Sequence, residues 1–282
     1  MTPGIELALA AMICFGAGDL IYKRAAARGI EPRQFVMLQA WVFCPSITLY
    51  AWASGQLDPH WPAVWGSLAG LASIVGFYNF ARSLQGGAVS TNAPIFRLNF
   101  ILTAALAIAL LGEPVGGAKL GGLACALAAV WLLLGERAGG AAHSDRSSLT
   151  RVLIATLAIA IANLFYKIGL CAGTGPETMV AAQAWAFSST ATLFAWLRER
   201  RFNWTPGTWR YSTPAAILLL AGFLLLMHGL AIGAASVLVP VAQMSFVFTA
   251  LVGAVLFHEP LNARKQAGLV VAAAALALFA LS

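Results

Sequence analysis

The chain has 282 residues, of which 60% are hydrophobic and only 10% are charged. Soluble domains carry about 25% charged residues, so this composition excludes an ordinary soluble protein. The formal net charge of +7 comes from Lys and Arg residues at the ends of apolar runs, a pattern that indicates membrane topology and not a nucleic-acid-binding surface.

Ten apolar runs follow one another along the chain. Because a bilayer core about 30 Å thick requires about 20 apolar residues per helix, each run is long enough to span it. We therefore predict an all-α integral membrane protein with ten transmembrane helices. The runs cover residues 4–26, 33–53, 63–84, 88–111, 117–135, 150–172, 176–197, 213–232, 236–257 and 264–281.

The most polar connection divides these helices into five plus five. It extends from Glu136 to Ser148 and is rich in Gly, Ser and charged residues, as is typical of a linker. We therefore predict a first five-helix repeat at 1–137, a linker at 138–148 and a second five-helix repeat at 149–282.

The two halves carry matching residue types at matching positions. Tyr22-Lys23 recurs as Tyr166-Lys167, Gln39-Ala40-Trp41 as Gln183-Ala184-Trp185, and Glu113-Pro114 as Glu259-Pro260. Apolar background does not produce such matches, so they indicate an internal duplication.

An odd number of helices in each repeat gives the two copies opposite membrane orientation. Such inverted repeats are the arrangement from which alternating-access carriers are built around a central site. Lys and Arg concentrate on one side of the predicted helices. The positive-inside rule places that side in the cytoplasm and both termini on the opposite side.

Two ionisable residues fall at membrane depth. An unpaired charge there costs several kcal/mol, so Asp19 in the first helix and Arg97 in the fourth are candidate site residues. Their positions in the second repeat hold Asn163 and Gln243. Since a buried ion pair is gained or lost as a unit, the joint replacement predicts an Asp19–Arg97 pair.

Two interpretations of this pair stay open. In one, it only locks the first helix to the fourth. In the other, Arg97 binds a substrate carboxylate or phosphate while Asp19 balances the empty site or accepts a proton. Further polar side chains at membrane depth are candidate substrate-binding groups or interhelical hydrogen bonds: Tyr78, Asn79, Asn92, Asn99, Asn163, His228 and Gln243.

A second set of residues lies at symmetric places in the two repeats. Tyr22, Lys23, Tyr166 and Lys167 lie near opposite membrane faces. The favoured interpretation is that the lysines reach toward lipid headgroups, and gating at each face is the alternative. Pro94 and Pro240 predict paired kinks in the fourth and ninth helices, which would suit a moving transporter.

The fifth and tenth helices are rich in Gly and Ala and nearly free of polar atoms. Because small residues allow close helix packing, we predict that these two helices serve as scaffolding or form a homodimer contact.

Each half carries a Glu-Pro after its fourth helix, followed by a short helix that contains glycine. These residues are Gly112-Glu113-Pro114 with Gly121-Gly122, and His258-Glu259-Pro260 with Gly268. The pattern resembles the drug/metabolite transporter superfamily, specifically its EamA-type members. The resemblance implies a central cavity and transport of amino acids, amines, nucleotide sugars or related metabolites. Many relatives keep both termini in the cytoplasm, whereas the charges here predict the reverse. We expect Glu113 and Glu259 to stabilise exposed helix amides.

We therefore predict a secondary-active transporter of a small polar metabolite, with an amino acid or a related amine or acid as the substrate. Its expected setting is the cell membrane, as a multi-pass protein of a bacterial inner membrane. Proton coupling stays an open alternative. The other hypotheses are a flippase for a lipid-linked headgroup and a non-transport membrane assembly protein. No metalloprotease, nucleophile-elbow or phosphate-loop motif is found, so the sequence predicts no enzyme, no cofactor and no metal site.

Overall fold

A computed structural model describes residues 2–30, 32–86, 92, 95–134, 146–199, 206–256 and 262–282. Four predictions fall outside the described residues: the position of the Lys23 side chain, the kink at Pro94, the role of Glu259 and most of the linker.

The described chain is helical throughout its apolar runs. The helices are α1 (Ile5–Ala27), α2 (Pro32–Ala53), α3 (Val64–Gly86), α4 (Asn99–Leu111), α5 (Gly117–Leu134), α6 (Arg146–Cys171), α7 (Pro176–Glu199), α8 (Pro206–Ile232), α9 (Ala235–Gln243 and Ser245–Leu256) and α10 (Ala263–Ala280). The prediction of an all-α membrane protein built from two five-helix repeats is confirmed.

Most of these helices are long and apolar enough to cross a bilayer unaided. Seven described segments meet this condition, and Ile95–Leu111 and Gly117–Leu133 are shorter apolar helices. The helix α7 has the necessary length, but hydroxyl side chains at four of the five positions 188–192 make it less apolar. Its Thr192 is paired within the protein, as described below, which reduces the cost of placing hydroxyl groups in lipid.

Short connections make successive helices antiparallel, so the helix ends gather at two faces. The Glu113 face contains Glu113, Lys119, Lys167, Glu177 and Gly233. The opposite end is the arginine face, which contains Arg24, Arg28, Arg82, Arg146, Arg151, Arg210, Arg264 and Lys265.

Two reciprocal hydrogen bonds relate the repeats. The indole of Trp41 on α2 donates to the hydroxyl of Thr192 on α7 at 2.9 Å, and Trp185 on α7 donates to Thr48 on α2 at 3.0 Å. The two tryptophans are 144 positions apart, and so are the two threonines, since 185 − 41 = 144 and 192 − 48 = 144. Such reciprocity is the signature of a two-fold relation, so a pseudo-two-fold axis passes between α2 and α7.

The fourth and ninth spans are each interrupted at equivalent positions. The amide of Leu98 bonds the carbonyl of Ile95, and the amide of Met244 bonds that of Val241. Leu98 and Met244 are 146 positions apart, the spacing of the later part of the repeat. These tightened turns of 3₁₀ type mark a local departure from regular α-helix, which is frequent at functional hinges.

Small residues allow two of the closest helix contacts. A Cβ atom added at Gly66 of α3 would lie 2.6 Å from the carbonyl oxygen of Met179 on α7, and one at Gly70 would overlap the carbonyl of Gln183. Gly122 of α5 lies against the ring of Phe279 on α10. The Gly-rich faces of α5 and α10 therefore pack on each other within one chain, as scaffolding requires. A homodimer contact stays a prediction.

Gly70→Ala is expected to destabilise the protein, because the added methyl group forces α3 away from the α7 backbone. Overpacking of this kind costs about 1–3 kcal/mol. Gly117→Ala is the matched control, since a Cβ atom at Gly117 meets no atom within 4 Å. Thermal unfolding in detergent should show a lower Tm for Gly70→Ala and an unchanged or higher Tm for Gly117→Ala. Equal Tm values would contradict the close α3–α7 contact.

Candidate substrate site

The two charges predicted at membrane depth lie together. The Nη2 atom of Arg97 is 3.3 Å from the Oδ2 atom of Asp19. Asp19 lies on α1, 27 − 19 = 8 residues before its end at Ala27, or about 12 Å from the arginine face at 1.5 Å per residue. The sequence therefore brings a cation and an anion into contact well inside the membrane.

Neutral side chains from α9 hold both members of the pair. The Nη1 atom of Arg97 donates to the Oε1 atom of Gln243 at 3.3 Å, and the hydroxyl of Ser245 donates to the Oδ2 atom of Asp19 at 3.2 Å. Gln243 and Ser245 flank Met244, where α9 is interrupted. The polar side chains on either side of the interruption therefore both contact the ion pair.

Arg97 and Gln243 hold equivalent positions in the two repeats, since 243 − 97 = 146. Equivalent residues contact each other only where they meet at the symmetry axis. The Arg97–Gln243 hydrogen bond therefore marks the point where the axis passes between α4 and α9. The ion pair lies beside this point, at the centre of the inverted repeat.

The pair is neither dry nor tightly closed. The side chains of Asp19 and Arg97 are 38% and 23% exposed. Their 3.3 Å separation exceeds the 2.7–2.9 Å that is usual for a charge-assisted hydrogen bond. Among the described residues, no side chain bonds the Oδ1 atom of Asp19 or the Nε atom of Arg97. Both groups therefore retain hydrogen-bonding capacity for a further molecule.

Gly18 precedes Asp19 on α1. It is buried, and a Cβ atom added to it meets nothing within 4 Å. There is therefore unfilled space beside α1 at the residue next to Asp19. The arrangement at Asp19 and Arg97 is therefore suited to holding a small polar molecule with groups of either sign.

The equivalent position in the second repeat is closed. Asn163 is buried and donates to the hydroxyl of Thr103 at 3.2 Å, and Thr103 donates to the carbonyl of Asn99 at 2.9 Å. The amide of Asn99 donates to the carbonyl of Phe96 at 2.7 Å. Asn163 and Asn99 thus belong to a packed polar network between α6 and α4. Substrate binding by either stays a prediction.

Comparison with known proteins identifies the architecture. A model of the EamA-like transporter family matches residues 2–135 and 147–281. The chain belongs to the EamA-like transporter family. It is therefore a membrane transporter of the drug/metabolite superfamily type, and the resemblance predicted from the sequence is confirmed.

Solved structures support the same fold. One solved chain, described only as "Crystal structure of protein", is 18% identical and superposes with a TM-score of 0.84 over 99% of this chain and 96% of its own. Altogether 29 solved chains match. A comparison with curated proteins finds no match. At this level of identity the structural match establishes the fold alone.

Three other candidate residues of this EamA-like transporter lie apart from the pair. Tyr78 packs edge-on against Phe194, with 5.0 Å between ring centroids, and the amide of Asn79 donates to the carbonyl of Val75 in its own helix at 2.9 Å. Asn92 is fully buried and donates to the Ser83 carbonyl and the Ser148 hydroxyl, both at 2.9 Å. The Asn92 hydrogen bonds tie the end of α3 to the start of α6, and none of these contacts reaches Asp19 or Arg97.

His228 lies near the Glu113 face. It is 232 − 228 = 4 residues before the end of α8, about 6 Å along the axis. Its Nε2 atom is 3.3 Å from Glu177, whose side chain is 7% exposed. His228 therefore pairs with a buried carboxylate at a helix end instead of joining Arg97 at the centre. Among the described residues, no group of three or more His, Cys, Asp or Glu side chains is placed to hold a metal ion.

The symmetric Tyr and Lys residues of the transporter have unequal surroundings. The Tyr22 hydroxyl donates to Gln39, and the Tyr166 ring is buried near Phe223. The Lys167 ammonium donates to the carbonyls of Leu230 and Gly233, both at 2.6 Å. Lys167 therefore caps the end of α8 and does not extend to the headgroups as the favoured interpretation had it, because the carbonyls at that helix end lack intrahelical partners. Gating by these residues stays a prediction.

The break in α9 lies after Pro240 and not at it. Pro240 is inside the regular first part of α9, and the helix is interrupted four residues later at Met244. Proline removes one amide donor and crowds the preceding turn, yet residues 235–242 remain helical and buried. The interruption therefore lies next to Gln243 and the ion pair, and a kink at Pro240 itself stays a prediction.

Glu113 joins the two halves of the transporter. Its carboxylate accepts hydrogen bonds from the amides of Ala235 and Ser236 at 2.7 and 2.9 Å and from the Ser236 hydroxyl. Lys119 lies 4.0 Å from the same carboxylate. Helix capping was predicted, but the capped helix is α9 of the other repeat and not α5. No local sequence signal identifies such a long-range partner.

A groove of about 440 Å³ lies along α7 and is separate from the ion pair. It is lined by Trp185, Ser188, Ser189, Thr192, Leu193 and Trp196. Trp185 and Trp196 are more than half exposed, as expected for side chains that face lipid in a membrane protein.

Glu113→Ala is expected to lower stability, because it leaves the first amides of α9 without their acceptor. Loss of a helix cap costs about 0.5–2 kcal/mol. The control is Glu6→Ala, which removes an exposed acidic residue from the first turn of α1. Thermal unfolding of both variants should show a clear Tm decrease only for Glu113→Ala. An effect as small as that of Glu6→Ala would contradict the capping contact.

Proposed function

We propose that this protein is a secondary-active transporter of a small polar metabolite, an amino acid or a related amine or acid, that works by alternating access. The observation that carries the proposal is the Asp19–Arg97 pair at the pseudo-two-fold axis, beside interruptions in two equivalent helices. Discontinuous helices at a repeat interface are the common setting for substrate sites in carriers.

The charges of the pair suggest how such a substrate binds. A substrate carboxylate takes the place of Asp19 beside the Arg97 guanidinium, a donor whose planar shape suits carboxylates. A substrate ammonium group bonds the Asp19 carboxylate that is thereby released. Gln243 and Ser245 keep the two side chains in position through the exchange.

The two faces differ in how tightly they close the protein. On the Glu113 face, Glu113, Lys119 and Glu177 have side chains that are 9%, 5% and 7% exposed. Asp19 and Arg97 remain more accessible although they lie deeper in the membrane. This difference supports a state that is closed toward the Glu113 face, as one end point of an alternating-access cycle.

Basic residues support an orientation. The helix ends of the arginine face carry most of the Arg and Lys residues described above, and cytoplasmic ends of transmembrane helices are enriched in these residues. In our proposal the arginine face is cytoplasmic, the Glu113 face is outside, and the protein lies in a bacterial inner membrane.

Arg97→Gln is expected to abolish transport while folded protein still accumulates, because glutamine keeps a polar side chain but loses the guanidinium that pairs with the substrate. The control Arg82→Gln removes an exposed arginine at the end of α3. Uptake of radiolabelled amino acids, amines and carboxylic acids into proteoliposomes measures the effect, which should exceed about 100-fold for loss of a charged contact worth about 3 kcal/mol.

Folding is checked by size-exclusion chromatography of both variants. Transport by Arg97→Gln at the level of Arg82→Gln would contradict the proposed site. The absence of flux for every probe with the unmodified protein would contradict the transport proposal itself.

Cys171 provides a test of orientation. It is exposed at the end of α6 on the Glu113 face, whereas Cys44 is buried and Cys14 and Cys125 are partly buried. A membrane-impermeant maleimide applied to intact cells should therefore label the protein, and Cys171→Ser should remove the label. Labelling that requires permeabilised cells would place the Glu113 face in the cytoplasm.

A further inference from the structure

The empty site is already charge-balanced. Asp19 and Arg97 contact each other directly, and their other polar partners, Gln243 and Ser245, are neutral. Tyr22 lies on α1 between Asp19 and the arginine face, and its neutral hydroxyl donates to Gln39. Glu113 with Lys119, Glu177 with His228, and Lys167 are described toward the Glu113 face. The formal charge of the described groups at the axis is therefore zero without any ligand.

Charge at the site decides whether a carrier can return empty. After releasing its substrate, an alternating-access carrier completes net transport only if its unloaded site crosses the protein interior. An unpaired charge makes this step costly because it leaves water without a compensating partner, whereas a contacting pair remains neutral throughout. A site with a single uncompensated charge therefore favours exchange of one substrate for another.

We propose that this protein carries out net, electroneutral transport of zwitterionic substrates. Asp19 and Arg97 pair with each other again after the substrate leaves, and this neutral pair allows the empty carrier to return. This inference rests on the alternating-access carrier of the proposed function and departs from it in one respect: the gradient of the substrate itself drives net flux, so transport is uniport and not secondary-active. A zwitterion brings one positive and one negative group, so the loaded site is also neutral. Neither half of the cycle moves charge, and neither needs a coupling ion. Asp19 acts as a counter-ion in this cycle and not as a proton acceptor.

The second repeat shows the other way to achieve neutrality. At the positions equivalent to Asp19 and Arg97 it carries Asn163 and Gln243, so both charges are absent together. The variant Asp19→Asn creates the intermediate case, in which Arg97 lies at the axis without a counter-ion. The double variant Asp19→Asn/Arg97→Gln restores neutrality with the residue types of the second repeat.

The test compares two fluxes in proteoliposomes loaded with ¹⁴C-labelled L-alanine, L-threonine, L-leucine or L-phenylalanine. Net efflux is measured into substrate-free buffer, and exchange is measured into buffer with the same unlabelled amino acid. For the unmodified protein we expect net efflux within a few-fold of exchange. We also expect the net rate to be unaffected by an imposed potassium diffusion potential or proton gradient.

Asp19→Asn removes the acceptor of the substrate ammonium group and leaves Arg97 without its counter-ion, both in the empty site and with a zwitterion bound. Both exchange and net efflux are therefore expected to fall by about 10-fold or more. The remaining net efflux should depend on membrane potential. The double variant should regain the Tm lost in Asp19→Asn, since it removes the orphaned charge, although its substrate affinity is lost.

The outcomes separate this inference from the proposed function. Exchange without net efflux in the unmodified protein, or accumulation driven by a proton gradient, would overturn the inference while transport itself stands. Net efflux by Asp19→Asn at the unmodified rate, or independent of the membrane potential, would also overturn it. No flux of any kind would overturn the proposed function and the inference together. Should Asp19→Asn fail to fold, the flux ratio and the potential independence of the unmodified protein decide the question.

Discussion

An arginine inside a bilayer requires a partner, and most of the central architecture follows from meeting that requirement. Asp19 supplies the opposite charge from α1, and Gln243 supplies a neutral acceptor from α9. These contacts bring the first and fourth helices of one repeat against the ninth helix of the other. The interruptions at Leu98 and Met244 lie beside these contacts, since Arg97 precedes the first and Gln243 and Ser245 flank the second. The free-energy cost of burying a cation is thus offset by contacts of Arg97 with side chains from both repeats.

Much of the fold was accessible from the sequence because lipid imposes a strong constraint on helix length and backbone pairing. The duplication was visible in Gln39-Ala40-Trp41 and Gln183-Ala184-Trp185, and the contacts of Trp41 and Trp185 with Thr192 and Thr48 follow the same repeat. The ion pair was also predictable, since Asn163 and Gln243 replace both of its charges at once. Here the second repeat served as an internal comparison, and it carried information that neither half holds alone.

Other parts of the site were not predictable, for a geometric reason. Position along a helix gives depth in the membrane but does not by itself fix the direction of a side chain. Asn92 and His228 were both candidates by residue type, yet Asn92 binds helix ends near Ser83 and Ser148, and His228 pairs with Glu177. For Glu113, the capping role was predicted correctly but the capped helix was not. Capping rules look within a few residues, whereas its partners at Ala235 and Ser236 are more than a hundred positions away. Ser245 was missed because a single serine in an apolar helix carries no distinguishing pattern.

The reciprocal Trp–Thr bonds between α2 and α7 have a consequence for motion. When two inverted repeats exchange conformations, the outward-facing and inward-facing forms are images of each other under the two-fold rotation, so atoms on the axis of that rotation keep their surroundings. Trp41 with Thr192 and Trp185 with Thr48 straddle that axis at one side of the protein, and Arg97 with Gln243 lies on it at the centre. In the alternating-access cycle that we propose, the line joining these contacts is the axis that stays stationary. Displacement grows with distance from it and is greatest at the membrane surfaces, so the α2–α7 seam can remain bonded while the ends of the other helices rearrange.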